Sequence, residues 1–312
     1  MNNNNNNNNN TLNNYIDENH WFSEKEVMWP GQQMSLKVKK ELLNIKSKYQ
    51  HIQVFDSETY GRVLVLDGVI QLTERDEHAY QEMLAHVALF SHTNPKKILI
   101  IGGGDGGILR EVLRHDCVEE ITMVELDEKV IEVAKQYFQE STCTHNFIDP
   151  RLNLIIGDGA AFLQKSKPNS YDVVLVDSSD PVGPASVLFE NDFYNSINNS
   201  LSPGGIMCNQ GECIWLHLEL IKEVFTHSKK IFAETRYFYT TVPTYPSGQI
   251  GFILNRKKIL KTDDVLNENN KLHVPMRKPD AKTNKLLSYY TPEIHSASFV
   301  LPKFAQDVFD KI

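Results

Sequence analysis

From Pro95 onward the chain alternates short strand-like runs with stretches of helical periodicity, and no other feature of the sequence narrows its fold as far. The runs are Lys97 to Ile101, Ile121 to Leu126, Leu152 to Ile156, Tyr171 to Val176 and Ile206 to Cys208. Between two of them Val130, Ile131, Ala134 and Phe138 recur at helical spacing. Strands that are apolar on both faces are covered on both faces. Their alternation with helices predicts an α/β fold with a parallel-rich, doubly wound sheet. Such sheets bind ligands beyond the C-terminal ends of their strands, so the residues that follow each strand are the candidate site.

The first run ends in Gly102-Gly103-Gly104-Asp105-Gly106-Gly107 and leads into a helix from Ile108 to His115. Glycines there allow a tight turn and close approach of a nucleotide. The embedded Gly-x-Gly-x-x-Gly fits a dinucleotide as well as an adenosylmethionine-type nucleoside. Asp105 disfavours a pyrophosphate and suits a ligand that carries positive charge. Glu125 ends the second run and can accept hydrogen bonds from both ribose hydroxyls; a solvated loop carboxylate is the plainer reading. Asp158, in Gly157-Asp158-Gly159, is either an adenine contact or a simple turn. The fourth run passes directly into Asp177-Ser178-Ser179-Asp180-Pro181, two carboxylates three residues apart at the sheet's active edge. They suit a cation. A metal site lacks a nearby His or a third clustered carboxylate, so none is expected.

Residues 13–78 read differently. Tyr49 to Phe55 is strand-like, and Gly61 to Leu72 is a strand pair broken by the Asp67-Gly68 turn signal. This predicts a small N-terminal antiparallel β domain ahead of a catalytic domain over residues 79–312. Met83, Leu84, Val87 and Ala88 predict a helix near the junction. Residues 1–12, with asparagine from Asn2 to Asn10, have no apolar groups to bury and are expected to be a disordered tail. The 312-residue length suits such a pair of domains. A net charge of −8 argues against nucleic acid and anionic membranes as partners and suits a cationic substrate. No run approaches the length of a membrane span, and no basic-then-apolar leader opens the chain. The four cysteines, Cys117, Cys143, Cys208 and Cys213, lack zinc-site spacing and are read as reduced thiols of a cytoplasmic protein.

Several motifs occur together and in order. They are Trp-Pro-Gly-Gln at 29–32, Leu-Asp-Gly-Val-Ile-Gln at 66–71, Glu-Arg-Asp-Glu at 74–77 and Tyr-Gln-Glu-Met at 80–83. Gly-Gly-Gly-Asp-Gly-Gly at 102–107, Asp-Ser-Ser-Asp-Pro-Val-Gly-Pro at 177–184 and Pro-Thr-Tyr-Pro-Ser-Gly-Gln-Ile-Gly at 243–251 complete the set. Over residues 20–310 the chain closely resembles the spermidine synthase family. The resemblance implies a methyltransferase-like Rossmann domain beside the small β domain, in a homodimer. It implies transfer of an aminopropyl group from decarboxylated S-adenosylmethionine, a co-substrate and not a cofactor, to putrescine. By the same resemblance Gln50, Gln81, Asp105, Glu125, Asp158, Gly159 and Pro184 hold the donor. Tyr80, Asp177, Ser178, Ser179, Asp180 and Tyr245 surround the diamine, with Asp177 as general base and Trp29 and Gln71 as neighbours. Glu18 or Glu212 is a candidate partner for the far ammonium. Competing readings are a spermine or thermospermine synthase, a putrescine N-methyltransferase, a silent nucleoside-binding scaffold and an NAD-dependent oxidoreductase. Asp105 and the pair Asp177 and Asp180 count against the last.

Overall fold

The computed structural model describes residues 15–24, 29–177, 191–259 and 271–312. The asparagine tract, Ser178, Ser179, Asp180 and Pro184 lie outside the described residues. The chain divides into two compact units after Thr73. The sequence places that division after residue 78; the second unit instead opens at Glu74, just ahead of the first long helix.

The first unit holds a five-stranded sheet in sequence order: β1 (Trp21–Ser23), β2 (Ser35–Lys46), β3 (His51–Ser57), β4 (Arg62–Leu66) and β5 (Val69–Thr73). All neighbours are antiparallel. Asp67 and Gly68 both take positive φ, 49° and 90°, as the two central residues of a tight hairpin turn require. Phe22, Leu36, Val38, Phe55, Val63, Val65 and Ile70 form the core.

In the second unit α1 (Glu77–Phe90) precedes the alternating region. That region runs β6 (Lys97–Gly102), α2 (Gly107–Leu113), β7 (Glu120–Glu125), α3 (Glu128–Tyr137), β8 (Leu152–Ile156), α4 (Gly159–Lys165), β9 (Tyr171–Asp177), α5 (Asn191–Ser200) and β10 (Leu201–Gln210). Then come α6 (Leu218–Ile231), β11 (Glu234–Thr241), β12 (Gln249–Arg256) and three short helices, α7 (Ala281–Asn284), α8 (Pro292–Ala297) and α9 (Lys303–Phe309). The seven strands lie in the order β11-β12-β10-β9-β6-β7-β8. β8, β7, β6, β9 and β10 are parallel, and β12 runs against both its neighbours. Ile98 to Ile101 and Val173 to Val176 are buried throughout, as strands covered by helices on both faces must be.

The chain moves outward from β6 through β7 to β8, then returns to start β9 on the other side of β6. The order therefore reverses between β6 and β9, where open α/β sheets form their binding crevice. There Gly102 pairs with Asp177 across the two strands.

Candidate active site

Two consecutive residues of α1 reach this crevice. Tyr80 donates its hydroxyl to Asp177 Oδ1 at 2.6 Å. Its ring packs 5.8 Å from Tyr245 and 5.4 Å from Phe252 of β12. Gln81 donates Nε2 to both carboxylate oxygens of Asp105 at 3.3 Å. Its carbonyl oxygen Oε1 is buried with no partner, an acceptor left over once the carboxylate is satisfied. Asp105 Oδ1 also accepts the Gly107 N–H, at 2.6 Å.

Close approach dictates two of the glycines. A Cβ at Gly104 would stand 2.9 Å from Glu125 Oε2, and one at Gly107 would stand 2.4 Å from Gln81 Cδ. Glu125 accepts the Asp127 N–H at 2.8 Å and is 8% exposed. Asp158 ends up as the N-cap of α4, taking the N–H groups of Ala160 and Ala161 on Oδ1 at 2.8 and 3.2 Å. Gly159 opens that helix, where a Cβ would come within 2.5 Å of Ile101 Cγ2.

Tyr80, Gln81, Asp105, Glu125, Asp177 and Tyr245 therefore belong to one region. Gln50, Trp29, Gln71 and Glu18 belong to the first unit, Gln50 directly before β3 and Gln71 within β5. Glu125 is buried and Asp105 and Asp177 are half-buried, and the three acids oppose one another's ionisation. Burial, then the charges of Asp105 and Glu125, push Asp177 up to about 8, against the Tyr80 hydrogen bond that lowers it. Burial pushes Glu125 up to about 7, with Asp127 and Asp105 adding to it. Asp105 is raised by burial as well. Such a cluster favours a cationic occupant, whose charge offsets what the carboxylates lose by leaving water.

Other residues hold this arrangement. Asp76, before α1, accepts the Thr244 N–H at 3.0 Å and its hydroxyl at 2.8 Å, which ties the Tyr245 loop to the helix. Glu212 takes a left-handed φ of 61°. Its carbonyl accepts from Tyr237 Oη at 2.7 Å and from Gly251 N at 2.9 Å, and its carboxylate lies 2.9 Å from His217 Nδ1. His217, given no catalytic part from sequence, thus stands beside the Glu212 carboxylate. Asp76 and Thr244 each lie in a sequence motif, at 74–77 and 243–251, but neither motif foretells their pairing across 168 residues. Cys208 and Cys213 are buried.

A doubly wound domain with acids and an aromatic pair at its switch point has the architecture of a methyltransferase-like fold. The family model described as the spermine/spermidine synthase domain matches residues 77–265, and the spermidine synthase tetramerisation domain matches residues 20–74. The chain is 52% identical to a spermidine synthase of Schizosaccharomyces pombe, across 96% of this chain and 97% of that one. It is also 52% identical to spermidine synthase 2 of Arabidopsis thaliana, across 93% and 84%. A crystal structure of spermidine synthase in complex with the transition-state analogue AdoDATO superposes with a TM-score of 0.82 at 36% identity, covering 95% of this chain and 97% of that one. The spermidine synthase of Thermotoga maritima gives 0.81 at 35%, covering 95% and 96%. The chain belongs to the spermine/spermidine synthase family and is an aminopropyltransferase. No helix among the described residues is long and apolar enough to cross a membrane.

Proposed function

We propose that this enzyme moves the aminopropyl group of decarboxylated S-adenosylmethionine onto putrescine, giving spermidine and 5′-methylthioadenosine. One observation carries the reading: Asp177, a half-buried carboxylate at the switch point, is oriented by Tyr80 and stands among other acids. The donor's sulfonium already makes the adjacent methylene electrophilic. The amine nitrogen attacks that carbon, the carbon–sulfur bond breaks with its electron pair going to sulfur, and one proton must leave the nitrogen. An alkylammonium with a pKa near 10.4 is neutral only about once in 2,500 at pH 7, a cost of about 4–5 kcal/mol. Asp177 takes that proton as general base. With Tyr80 occupying Oδ1, Oδ2 is the oxygen left to take the proton, and a carboxylate with a raised pKa is a better acceptor than an ordinary one.

Gln81 and Asp105 hold the ammonium end of the donor, the first through its spare Oε1. Glu125 takes the ribose hydroxyls. Asp158 and Gly159 face the adenine, and Gln50 and Pro184 complete that half. Tyr80 and Tyr245 line the methylenes of putrescine, where cation–π contact adds to burial. Ser178, Ser179 and Asp180 bind its reacting end. The residues that match the tetramerisation model make an oligomer, the dimer being the unit proposed. No cofactor is needed, since the donor is consumed. The compartment we propose is the cytoplasm.

Asp105 also selects the donor. S-Adenosylmethionine differs from its decarboxylated form by one carboxylate on the same tail. Against Asp105 at about 4 Å and an effective dielectric near 20, that like charge costs roughly 4 kcal/mol before relaxation. The test is turnover of the pure protein with each donor against putrescine, cadaverine, spermidine and no acceptor. Spermidine formed from the decarboxylated donor and putrescine supports the reading. Methylation of putrescine from S-adenosylmethionine at a comparable rate, or a preference for spermidine as acceptor, would replace it.

A further inference from the structure

The glycine loop between β6 and α2 is gripped from outside by a segment that the chemistry above does not use. Residues 141–147, which follow α3, run along Asp105 and Gly106. Thr142 donates Oγ1–H to the Asp105 carbonyl at 2.7 Å. His145 Nε2 stands 2.9 Å from the Gly106 carbonyl, and Nδ1 lies 3.0 Å from the Phe147 N–H. A backbone N–H can only donate, so Nδ1 holds the lone pair. The proton of the neutral ring is then on Nε2, aimed at Gly106. Burial lowers the pKa of His145 and keeps the ring neutral. The segment is itself anchored: Arg110 of α2 donates to the Ser141 carbonyl at 2.9 Å and pairs with both carboxylate oxygens of Glu77, at 2.9 and 2.8 Å.

Its backbone is held in a costly shape. Asn146 and Phe147 take left-handed φ in succession, 49° and 54°, which side-chain-bearing residues keep only where their surroundings enforce it. The facing loop residue is Gly106, at φ +89°, where a Cβ would meet the His145 ring at 3.2 Å and Phe147 Cζ at 3.3 Å. Segment and loop therefore fit each other closely, through two hydrogen bonds to consecutive carbonyls.

We propose that Thr142 and His145 are positioning residues that clasp the carbonyls of Asp105 and Gly106, so that the Asp105 carboxylate is already in place when the donor's ammonium arrives. A loop fixed in advance loses less freedom on binding. The identity of the donor rests on the proposed function; the clasp itself is a property of the unliganded loop.

The test uses the full chain with Thr142→Val, His145→Leu and His145→Gln. Glutamine keeps an N–H donor near the place of Nε2. In unliganded protein, amide exchange at Gly106 and Gly107 should quicken about 10-fold or more in T142V and H145L and stay within about 3-fold in H145Q. Affinity for decarboxylated S-adenosylmethionine should fall about 5–30-fold in the first two and by less for methylthioadenosine, which lacks the ammonium. The KM for putrescine should stay within about 2-fold. Unchanged loop exchange in both variants, with only the melting temperature lowered, overturns the clasp. Should H145L fail to fold, T142V decides alone, since it removes one hydroxyl at nearly constant shape. Wild-type turnover reads the proposed function separately, and the exchange experiment stands whichever way that assay falls.

Discussion

Asp177 and Tyr80 lie 97 positions apart, and the hydrogen bond between them is where the proposed chemistry is concentrated. On the proposed reaction, Asp177→Asn should lower turnover at pH 7 by about 10²–10⁴-fold, the usual scale for losing a general base. The deficit should shrink at pH 9–10, where more of the amine is already neutral; a mutant with near-normal turnover at pH 7 removes Asp177 from the role. Tyr80→Phe keeps the ring and deletes the donor. The ionised carboxylate then loses a hydrogen bond worth about 1.5–3 kcal/mol, so the acid limb of kcat/KM should move to higher pH by about 1–2 units. An unmoved limb would detach Tyr80 from the titration. At this scale the sequence was informative where strand ends can be read, as at Glu125 and Asp177, which close β7 and β9, and at Asp105 in the loop after β6. It was less so at Asp158, where capping a helix and touching an adenine ask for the same residue. Asp76 and Thr244 sat inside sequence motifs, yet their hydrogen bonds to each other could not be read from either motif alone, because only the fold brings them together.

Among the elements, α1 departs furthest from its sequence pattern. Met83, Leu84, Val87 and Ala88 suggest one apolar face, yet every residue of the helix except His78 is buried. Its polar side chains are employed inside: Tyr80 and Gln81 toward the crevice, Glu82 toward the C-terminal segment. Glu82 accepts the backbone N–H groups of Ser288, Tyr289 and Tyr290 at 2.8, 2.9 and 2.8 Å. Glu82→Ala leaves those donors without their acceptor and should cost on the order of 3 kcal/mol. In a unit of this size that is a fall in melting temperature of about 6–12 °C. Glu82→Gln keeps one accepting oxygen and should lose about half as much. Calorimetry of the two variants checks this, and equal losses would show that packing, not hydrogen bonding, sets the cost. The start of β10 and the whole of β12 escaped the sequence for local reasons. β10 begins at Leu201, five residues before the apolar run, because Ser202-Pro203-Gly204-Gly205 reads as a turn and is taken into the strand through a register shift. β12 contains Gly251, a weak strand former; a Cβ there would stand 1.8 Å from the Tyr237 hydroxyl.

For the whole molecule, the doubly wound sheet was legible because strands buried on both faces must be continuous in apolar residues. Its cluster of raised carboxylates has a consequence for stability and binding together. Glu125 and Asp177 have folded-state pKa values of about 7 and about 8, above their ordinary 4.5 and 3.8. Between those limits the folded chain binds more protons than the unfolded one, so stability falls as pH rises. The unliganded protein should accordingly lose melting temperature from about pH 4.5 to about pH 8 relative to a variant carrying Asp177→Asn. A cationic ligand reverses the logic. Positive charge beside the cluster favours the ionised carboxylates and lowers both pKa values. Putrescine bound with methylthioadenosine, a pair that cannot react, should therefore release protons at pH 7, on the order of one per site. Titration calorimetry in phosphate and in Tris measures the number, since the apparent enthalpy changes with the buffer's ionisation enthalpy in proportion to the protons released. In Asp177→Asn the dependence should drop markedly, because the group with the largest shift no longer titrates. A wild-type enthalpy that is the same in both buffers would mean that the cluster is already ionised before the diamine arrives, and that the base needs no priming by its substrate.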